Sequence, residues 1–436
     1  MIYLFEQYGY KRNGFYDGLL DDQFNKLSCI KGVGFKRHVL RKDKQELCLY
    51  IDFDEEKDKY HFQTSYFVGV DWIVESVLPI YVQPKLNKDS REVDYMRMLL
   101  EALQEPENLN HLDDLVHIDF HRQYIPIKQK QDMLSPFLIA QFLQLLKRIV
   151  QKGLKKSYYT VTGNLNSRVK GKILVGKNIK QNLLKGKQTH TICRYQEFGI
   201  NCDENKILKK AYRFSRHVIQ CYKDGLNTQA LHQLINYIHP AFENVSEEID
   251  IQKIKTFKSN PLFREYNQAI KLALLILKRY SYNITTTEQQ TIMTPPFWID
   301  MSKLFELYVF KKLREIFPGK DEVIYHFTDH RLEPDFLIDS SKKDIQMVVD
   351  AKYKPQYHDK SIELDDCRQV SGYARLKSVY DKLCICDYNR NIDCLIIYSN
   401  QELTLPEGID LIQKESVQRY VNFYKLGIRL PEKKNE

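Results

Sequence analysis

Two acidic residues and a lysine near the C-terminal end have the types and spacing of a metal-dependent hydrolytic site. Asp335 opens one apolar strand pattern, and Asp350 and Lys352 close another, Ile345–Lys352. Because side chains alternate between the two faces of a strand, Asp350 and Lys352 should point the same way. Two carboxylates beside an ammonium suit Mg²⁺, with Mn²⁺ as a substitute, and bound metal acidifies a water for attack on a phosphate. The pattern therefore predicts phosphodiester hydrolysis.

Three further residues are candidates to support this site. Glu306 lies at the margin of the apolar face of a predicted helix, Met301–Ile316, where it could act as an additional metal ligand or a base. Gln369 and Tyr373 are four residues apart and should share a helix face, from which Gln369 could orient a water or a phosphate oxygen. The predicted catalytic residues are Asp335, Asp350, Lys352, Glu306, Gln369 and Tyr373, with Asp335, Asp350 and Glu306 as the metal ligands. The alternative interpretation is that the two aspartates are strand-end carboxylates in turns and that Gln369 is a polar surface residue, with no catalytic role for either.

A near match to a nucleotide-binding loop is rejected. The segment Gly171–Asn178 has the glycine and lysine spacing of a phosphate loop, but Asn178 stands where a serine or threonine would bind Mg²⁺. The interior of the segment is also apolar, whereas a phosphate needs accessible backbone amides. We therefore expect this chain to bind no nucleotide and to hydrolyse none.

The cysteines and histidines give weaker signals. Nine cysteines, an odd number with no C-x-x-C pair, favour a reducing compartment over a disulfide framework. Four cysteines lie close together in the sequence: Cys367, Cys384, Cys386 and Cys394. We expect buried structural thiols, because Cys384 and Cys386 lie in an apolar segment. An iron–sulfur cluster is the alternative interpretation. His326 and His330 lie close to Asp335 in the sequence, but their surroundings do not predict a helix, and we predict no zinc site there.

The charge is concentrated in one block of the chain. The formal net charge is +9. No acidic residue occurs from Met133 to Gln196, where thirteen lysines and arginines lie, so the rest of the chain has a net charge of −4. Such a block favours a nucleic acid or an acidic partner surface, and a solvated face without a partner is the alternative.

The patterning predicts a multidomain α+β protein. A length of 436 residues favours roughly three domains. We predict an N-terminal β-rich domain over 1–130, a mainly helical middle region with the basic block over 131–290, and a C-terminal α/β domain over 291–436. Ser281–Pro296 is the predicted linker. No signal pattern or membrane-spanning run is present, so we expect a cytoplasmic protein with no membrane partner.

The order of several short motifs resembles the McrC family, the nuclease subunits of McrBC modification-dependent restriction systems. Asp335, Asp350 and Lys352 match the family's PD-(D/E)-x-K core, and Gln369 and Tyr373 resemble the Q-x-x-x-Y extension of RecB-like nucleases. The other matching segments are Tyr66–Val70, Leu78–Lys85, Lys152–Leu154, Tyr158–Tyr159, Arg168–Ile173, Cys193–Tyr195, Asn205–Lys209 and Asp300–Glu306.

The resemblance implies an endonuclease subunit with a restriction-endonuclease-like C-terminal domain. It implies that the N-terminal domain docks into an McrB-like AAA+ GTPase hexamer, which recognises modified DNA, while this chain cuts double-stranded DNA. Arg168, Lys170 and Lys172 are then candidates for contacts with the partner or with DNA. A stand-alone RecB-like DNA nuclease and a non-catalytic activator or scaffold of an AAA+ ring are the rival hypotheses.

Overall fold

The computed structural model covers most of the chain. The residues it describes are 1–9, 14–41, 44–84, 93–105, 107–108, 111–112, 115–128, 134–221, 229–249, 264–285, 291–329, 332–341, 344–354, 362–401 and 409–432.

Nineteen strands and ten α-helices are formed by these residues. The strands are β1 Ile2–Phe5, β2 Phe35–Arg41, β3 Lys44–Asp54, β4 Lys59–Thr64, β5 Phe67–Val74, β6 Leu78–Gln83, β7 Val116–Ile118, β8 Ile125–Lys128, β9 Ser157–Asn166, β10 Lys172–Ile173, β11 His190–Gly199, β12 Thr291–Thr294, β13 Phe297–Asp300, β14 Val323–Tyr325, β15 Phe336–Ser340, β16 Ile345–Lys352, β17 Asp393–Ser399, β18 Glu415–Ser416 and β19 Phe423–Ile428. The helices are α1 Asp21–Lys26, α2 Tyr95–Ala102, α3 Leu134–Lys152, α4 Val175–Gln181, α5 Asp203–Cys221, α6 Gln229–Ile238, α7 Arg264–Thr285, α8 Met301–Ile316, α9 Leu364–Tyr373 and α10 Lys377–Lys382.

The chain divides into two compact units. The first contains Met1–Phe137, Gly225–Ala230 and Gln290–Glu436, and the second contains Leu138–Asp224 and Leu231–Gln289. The prediction of a mixed α and β protein with several sheets is confirmed. The predicted linker Ser281–Pro296 is wrong in part, since α7 continues to Thr285 and β12 begins at Thr291.

Strands that are far apart in the sequence share a sheet in the first unit. This five-stranded sheet has the order β1-β6-β5-β13-β7, and β13 pairs antiparallel with β5 so that Phe297 faces Val70. A side chain at Gly69 would collide with the carbonyl oxygen of Phe297, so glycine allows the two strands to approach closely. The N-terminal β-rich segment is therefore built together with the strand that leads into α8.

The second large sheet of this unit contains the strands that carry the predicted site. Its order is β14-β15-β16-β17-β19-β18, with antiparallel pairs at both edges and parallel pairs β16–β17 and β17–β19 at its centre. The central strands β16 and β17 each contain a buried apolar run, Met347–Val349 and Cys394–Tyr398, as expected for strands covered on both faces. Val348, Val370 and Ile396 belong to one buried cluster that joins the sheet to α9.

The second unit combines helices with a three-stranded sheet, whose two long strands the sequence pattern did not predict. Strands β9 and β11 pair antiparallel over ten residues, Ser157 facing Gly199 and Asn166 facing His190, and β10 pairs with β11. Residues 157–199, which we call the basic arm, contain this sheet and α4. Among the described residues, no helix is long and apolar enough to cross a membrane.

Candidate active site

Helix α8 carries Glu306 into the interior of the first unit. Asp300, the last residue of β13, caps the helix by accepting a hydrogen bond from the Lys303 backbone N–H at 2.8 Å. Glu306 is buried, and its Oε1 accepts a hydrogen bond from the Tyr325 hydroxyl at 2.6 Å and lies 3.2 Å from Lys303 Nζ. His326 Nε2 contacts the same oxygen. One carboxylate oxygen of Glu306 thus has three polar partners.

These partners fix the charge of Glu306. Burial by itself would raise the pKa of Glu306, but Lys303 and the hydrogen bond with His326 outweigh it and lower the pKa to about 2. A carboxylate with so low a pKa is a poor general base at neutral pH. The arrangement favours a permanently charged Glu306 over the predicted alternative of a base.

Strand pairing brings Asp335 to the end of β16, beside Asp350. Phe336 faces Val349 across the β15–β16 pair, and Asp335 immediately precedes that pair. Asp335 Oδ2 accepts a hydrogen bond from the Ala351 N–H at 2.8 Å. Asp350 is 1% exposed, and its Oδ2 lies 2.7 Å from Lys352 Nζ, an ion pair whose angles fall outside hydrogen-bond geometry. The predicted common orientation of Asp350 and Lys352 is confirmed.

The negative charge of Asp350 disfavours the charged form of Asp335. Burial, then the negative charges of Asp350 and Glu306, raise the pKa of Asp335 well above its usual range. Burial also raises the pKa of Asp350, although Lys352 opposes this. The pKa of Lys352 is raised by Asp350 and Asp335, against the effect of its own burial. Paired buried carboxylates of this kind are stabilised by a nearby positive charge.

Helix α9 extends the polar chain away from Lys352. Lys352 Nζ donates to Gln369 Oε1 at 3.0 Å, and Gln369 Nε2 donates to the Tyr373 hydroxyl at 2.7 Å. Tyr373 is buried whereas Gln369 is exposed. The structure therefore connects Asp350, Lys352, Gln369 and Tyr373 by direct contacts, and Glu306 joins them through its charge near Asp335.

Several residues around the site escaped the sequence reasoning. Lys303 is three residues before Glu306, and the helical i, i+3 spacing could have indicated it. Tyr325 and His326 are brought in by pairing of β14 with β15, which no local pattern shows. His326 Nδ1 also lies 2.6 Å from Glu333 Oε1, so this histidine belongs to a carboxylate network, while His330 lies outside the described residues.

The donor chemistry is that of two carboxylates. Within the described part of the chain, no group of three or more histidine, cysteine, aspartate or glutamate side chains is arranged to hold a metal ion. The prediction of buried thiols is confirmed for Cys367 and Cys394 but wrong for Cys384 and Cys386, which are exposed. Together with the lack of such a group in the described part of the chain, this arrangement does not favour the iron–sulfur alternative.

The basic residues predicted to contact a partner or DNA lie in the second unit. Arg168, Lys170 and Lys172 are exposed on the basic arm. Lys170 Nζ is 3.3 Å from Glu197 Oε1 and 4.3 Å from the centre of the Tyr195 ring.

Asn178, the residue that ruled out the phosphate loop, has a structural position in the arm. Its Oδ1 accepts hydrogen bonds from the Ile192 N–H at 3.0 Å and from Asn182 Nδ2 at 2.6 Å. Asn178 lies inside α4, which begins at Val175, whereas a phosphate loop has its helix begin near this position.

Comparison with known proteins links the chain to one family. The family model described as McrBC 5-methylcytosine restriction system component matches residues 63–384. No curated protein matches the chain.

Two solved structures from Thermococcus gammatolerans are similar. A half-complex of McrB AAA+ hexamers with bound McrC matches at 15% identity over 98% of this chain and 94% of that chain, with a TM-score of 0.38. The McrBC complex matches at 17% identity over 72% of this chain and 86% of that chain, with a TM-score of 0.27. Both scores are below 0.5, so neither superposition defines the fold of this chain.

Proposed function

This chain belongs to the McrBC family of restriction-system components, and we propose that it is an McrC-type nuclease subunit that cleaves double-stranded DNA in the cytoplasm. The observation that carries the proposal is the acidic pair of half-buried Asp335 and buried Asp350, with Lys352 Nζ at 2.7 Å from Asp350 Oδ2. Two carboxylates held close together with one ammonium leave a net negative charge at least partly out of water, which is unfavourable for stability, so such a cluster is favoured by function.

The sheet around these residues supports a PD-(D/E)-x-K nuclease domain. The acidic residues lie at the ends of β15 and β16, and α8 and α9 supply Glu306 and Gln369 from neighbouring positions. Four elements thereby contribute the side chains that the sequence motif requires. The mixed six-stranded sheet gives them a rigid support, because its central strands are buried.

The residues present fit a divalent cation. Asp335 and Asp350 would hold Mg²⁺ or Mn²⁺ through carboxylate oxygens, the donors that these cations prefer, and the close partner of the buried Asp350 Oδ2 among the described residues is the Lys352 ammonium. Glu306 would act through its negative charge, with its Oε1 already occupied by Lys303, Tyr325 and His326. Bound Mg²⁺ would supply an acidified water and charge neutralisation at the phosphate.

The chain's own polar groups would organise the reaction. Lys352, held by Asp350 and Gln369, presents an ammonium to the scissile phosphate or the attacking water. Gln369 is exposed on one side and bonded to Tyr373 on the other, so it can orient a phosphate oxygen without losing its support. The role of Tyr373 is to fix Gln369.

We further propose that an McrB-like AAA+ GTPase hexamer recognises modified DNA and activates this subunit. The basic arm supports such a contact, because it exposes lysines and arginines together with large apolar side chains, among them Val175 (62%) and Leu184 (77%). A contact surface with both kinds of residue suits a protein partner better than a phosphate backbone alone. Docking of the N-terminal β-rich domain into the hexamer is a separate prediction, which the family resemblance implies.

The test is a variant that removes one carboxylate charge. In a complex assembled with the GTPase, Asp350→Asn should still bind the partner and support GTP hydrolysis but leave methylated double-stranded DNA uncut over a Mg²⁺ titration. Asp339→Asn is the matched control, since Asp339 lies on β15 outside the site and hydrogen-bonds Gln346. Continued cutting by Asp350→Asn would rule out the assignment. The chain without its partner should be nearly inert, whereas a stand-alone nuclease would be active.

A further inference from the structure

A buried contact ties the N-terminal segment to the residue that follows Lys352. Glu6, directly after β1, is 1% exposed, and Tyr353, directly after β16, is 4% exposed. The Tyr353 hydroxyl donates to Glu6 Oε1 at 2.9 Å. Gln7 Nε2 also donates to the Tyr353 carbonyl oxygen at 3.3 Å. Residues about 350 positions apart in sequence are thus joined at the end of the strand that carries the site.

The N-terminal side of this contact is firmly held. The Glu6 N–H donates to the Gln83 carbonyl and the Gln7 N–H donates to the Ser65 carbonyl, both at 2.7 Å. Strand β1 pairs in parallel with β6 from Ile2 to Phe5, immediately before Glu6. Glu6 is therefore held firmly at the end of β1, and its hydrogen bond can fix the position of the Tyr353 hydroxyl.

The Tyr353 side is equally constrained. Burial, then the neighbouring Glu6 and Tyr95, raise the pKa of Tyr353, so the phenol keeps its proton and acts as a donor. Its ring lies 5.8 Å from the ring of Phe305, the neighbour of Glu306 on α8. A buried carboxylate is stable only when it is hydrogen-bonded, which makes loss of this contact unfavourable.

The next residue is anchored to α9. Lys354 Nζ lies 2.7 Å from Asp366 Oδ2 and 3.1 Å from Glu363 Oε2. The Lys354 N–H donates to the Lys352 carbonyl oxygen at 2.7 Å, which makes a tight turn. The backbone of Lys352 is consequently set between the N-terminal sheet on one side and α9 on the other.

We propose that Tyr353 is a positioning residue that, through its hydrogen bond to Glu6, holds Lys352 at the correct distance from Asp350. The rate of DNA cleavage then depends on the N-terminal segment, although that segment carries no catalytic group. This proposal rests on the proposed nuclease function and assigns Tyr353 and Glu6 a part in it. Rates are sensitive to such support, because a displacement of about 1 Å at a catalytic group can lower them about 100-fold.

The experiment removes the hydrogen bond from either side in the full-length chain assembled with its GTPase partner. Tyr353→Phe and Glu6→Ala should each lower kcat for DNA cleavage about 10-fold, while the Mg²⁺ concentration for half-maximal rate stays unchanged. The double variant should be slower by less than the product of the two single effects, because both substitutions remove the Tyr353–Glu6 hydrogen bond, although Tyr353→Phe also removes the interaction of the hydroxyl with Tyr95. Glu6→Gln keeps a carbonyl acceptor and should retain most of the rate.

A matched control separates positioning from general loss of a buried hydrogen bond. Tyr380 is also buried, and its hydroxyl donates to the Arg390 carbonyl oxygen at 2.7 Å. Tyr380→Phe should leave kcat unchanged. In hydrogen-exchange mass spectrometry, the peptide containing 345–354 should exchange faster in Tyr353→Phe and Glu6→Ala but not in Tyr380→Phe.

Two results would overturn the inference. An unchanged kcat and unchanged exchange in Tyr353→Phe would show that the contact does not position Lys352. An equal loss of kcat in Tyr353→Phe and Tyr380→Phe would show a general structural effect. Failure of the proposed function is distinguishable, because Asp350→Asn would then still cut DNA, whatever the behaviour of Tyr353→Phe.

Discussion

The candidate active site and the basic arm use charge in opposite ways. At the site, acidic side chains are buried or half-buried and lie close to named partners, as Asp350 does to Lys352. On the arm, most basic side chains are exposed, and large apolar residues such as Leu184 are exposed beside them. Buried charges carry large energies and need an exact geometry, whereas exposed charges are screened and act collectively.

This contrast indicates a division of labour between the two units. A buried carboxylate pair is unfavourable unless chemistry or a cation requires it, so it indicates where a reaction occurs. An exposed basic and apolar surface has little effect on stability by itself and indicates where another molecule binds. Substitutions should therefore change rate in the first region and association in the second.

The largest effect is expected from removing the ammonium at the site. Lys352→Met should lower the rate of DNA cleavage by about 100-fold or more, because a preorganised charge at the reacting phosphate is lost. Partner binding and GTP hydrolysis should be unchanged. Gel-based cleavage assays with Lys382→Met as the exposed control measure this, and a rate near that of the unchanged protein would remove Lys352 from the mechanism.

A smaller effect is expected on the arm. The double variant Arg168→Ala and Lys172→Ala should weaken association with the GTPase ring about 10-fold at low ionic strength, and the difference should shrink as salt is added. The control is Lys377→Ala with Lys382→Ala, two exposed lysines of the first unit. If ring association is unchanged while DNA binding weakens, the arm contacts DNA.

The smallest effect concerns stability without metal. Because the pKa of Asp335 is raised on folding, the folded state is most favoured below the ordinary carboxylate pKa and loses this stability as pH rises through the raised value. Asp335→Asn should therefore stabilise the protein at neutral pH in EDTA, by about 1 kcal/mol. Thermal unfolding measures this. Saturating Mg²⁺ should stabilise only the unchanged protein, and equal stabilisation of both would contradict metal binding at Asp335.

Local patterns predicted the elements that carry the site. Helical spacing gave α8 with the observed bounds Met301–Ile316, and strand alternation gave the common orientation of Asp350 and Lys352. The i, i+4 spacing placed Gln369 against Tyr373, which the hydrogen bond between them confirms. Each of these predictions depends on neighbours within one element, where the periodicity of the backbone is sufficient.

Patterns failed where strands pair over long distances. The sheet of the basic arm joins residues up to about forty positions apart, and its strands alternate half-buried with exposed residues, so no clear apolar run marked them. Long-range pairing also explains why two partners of Glu306 were not predicted. Tyr325 and His326 reach Glu306 only through the pairing of β14 with β15.

The sequence by itself determined which residues could do chemistry, because residue type and spacing within a strand or helix set the donor atoms and their common face. Only the tertiary structure decided their electrostatic state, because burial and partners from distant segments lower the pKa of Glu306 and raise that of Asp335. It alone also joined Glu6 to Tyr353, since that contact depends on how two sheets pack and leaves no trace in local sequence.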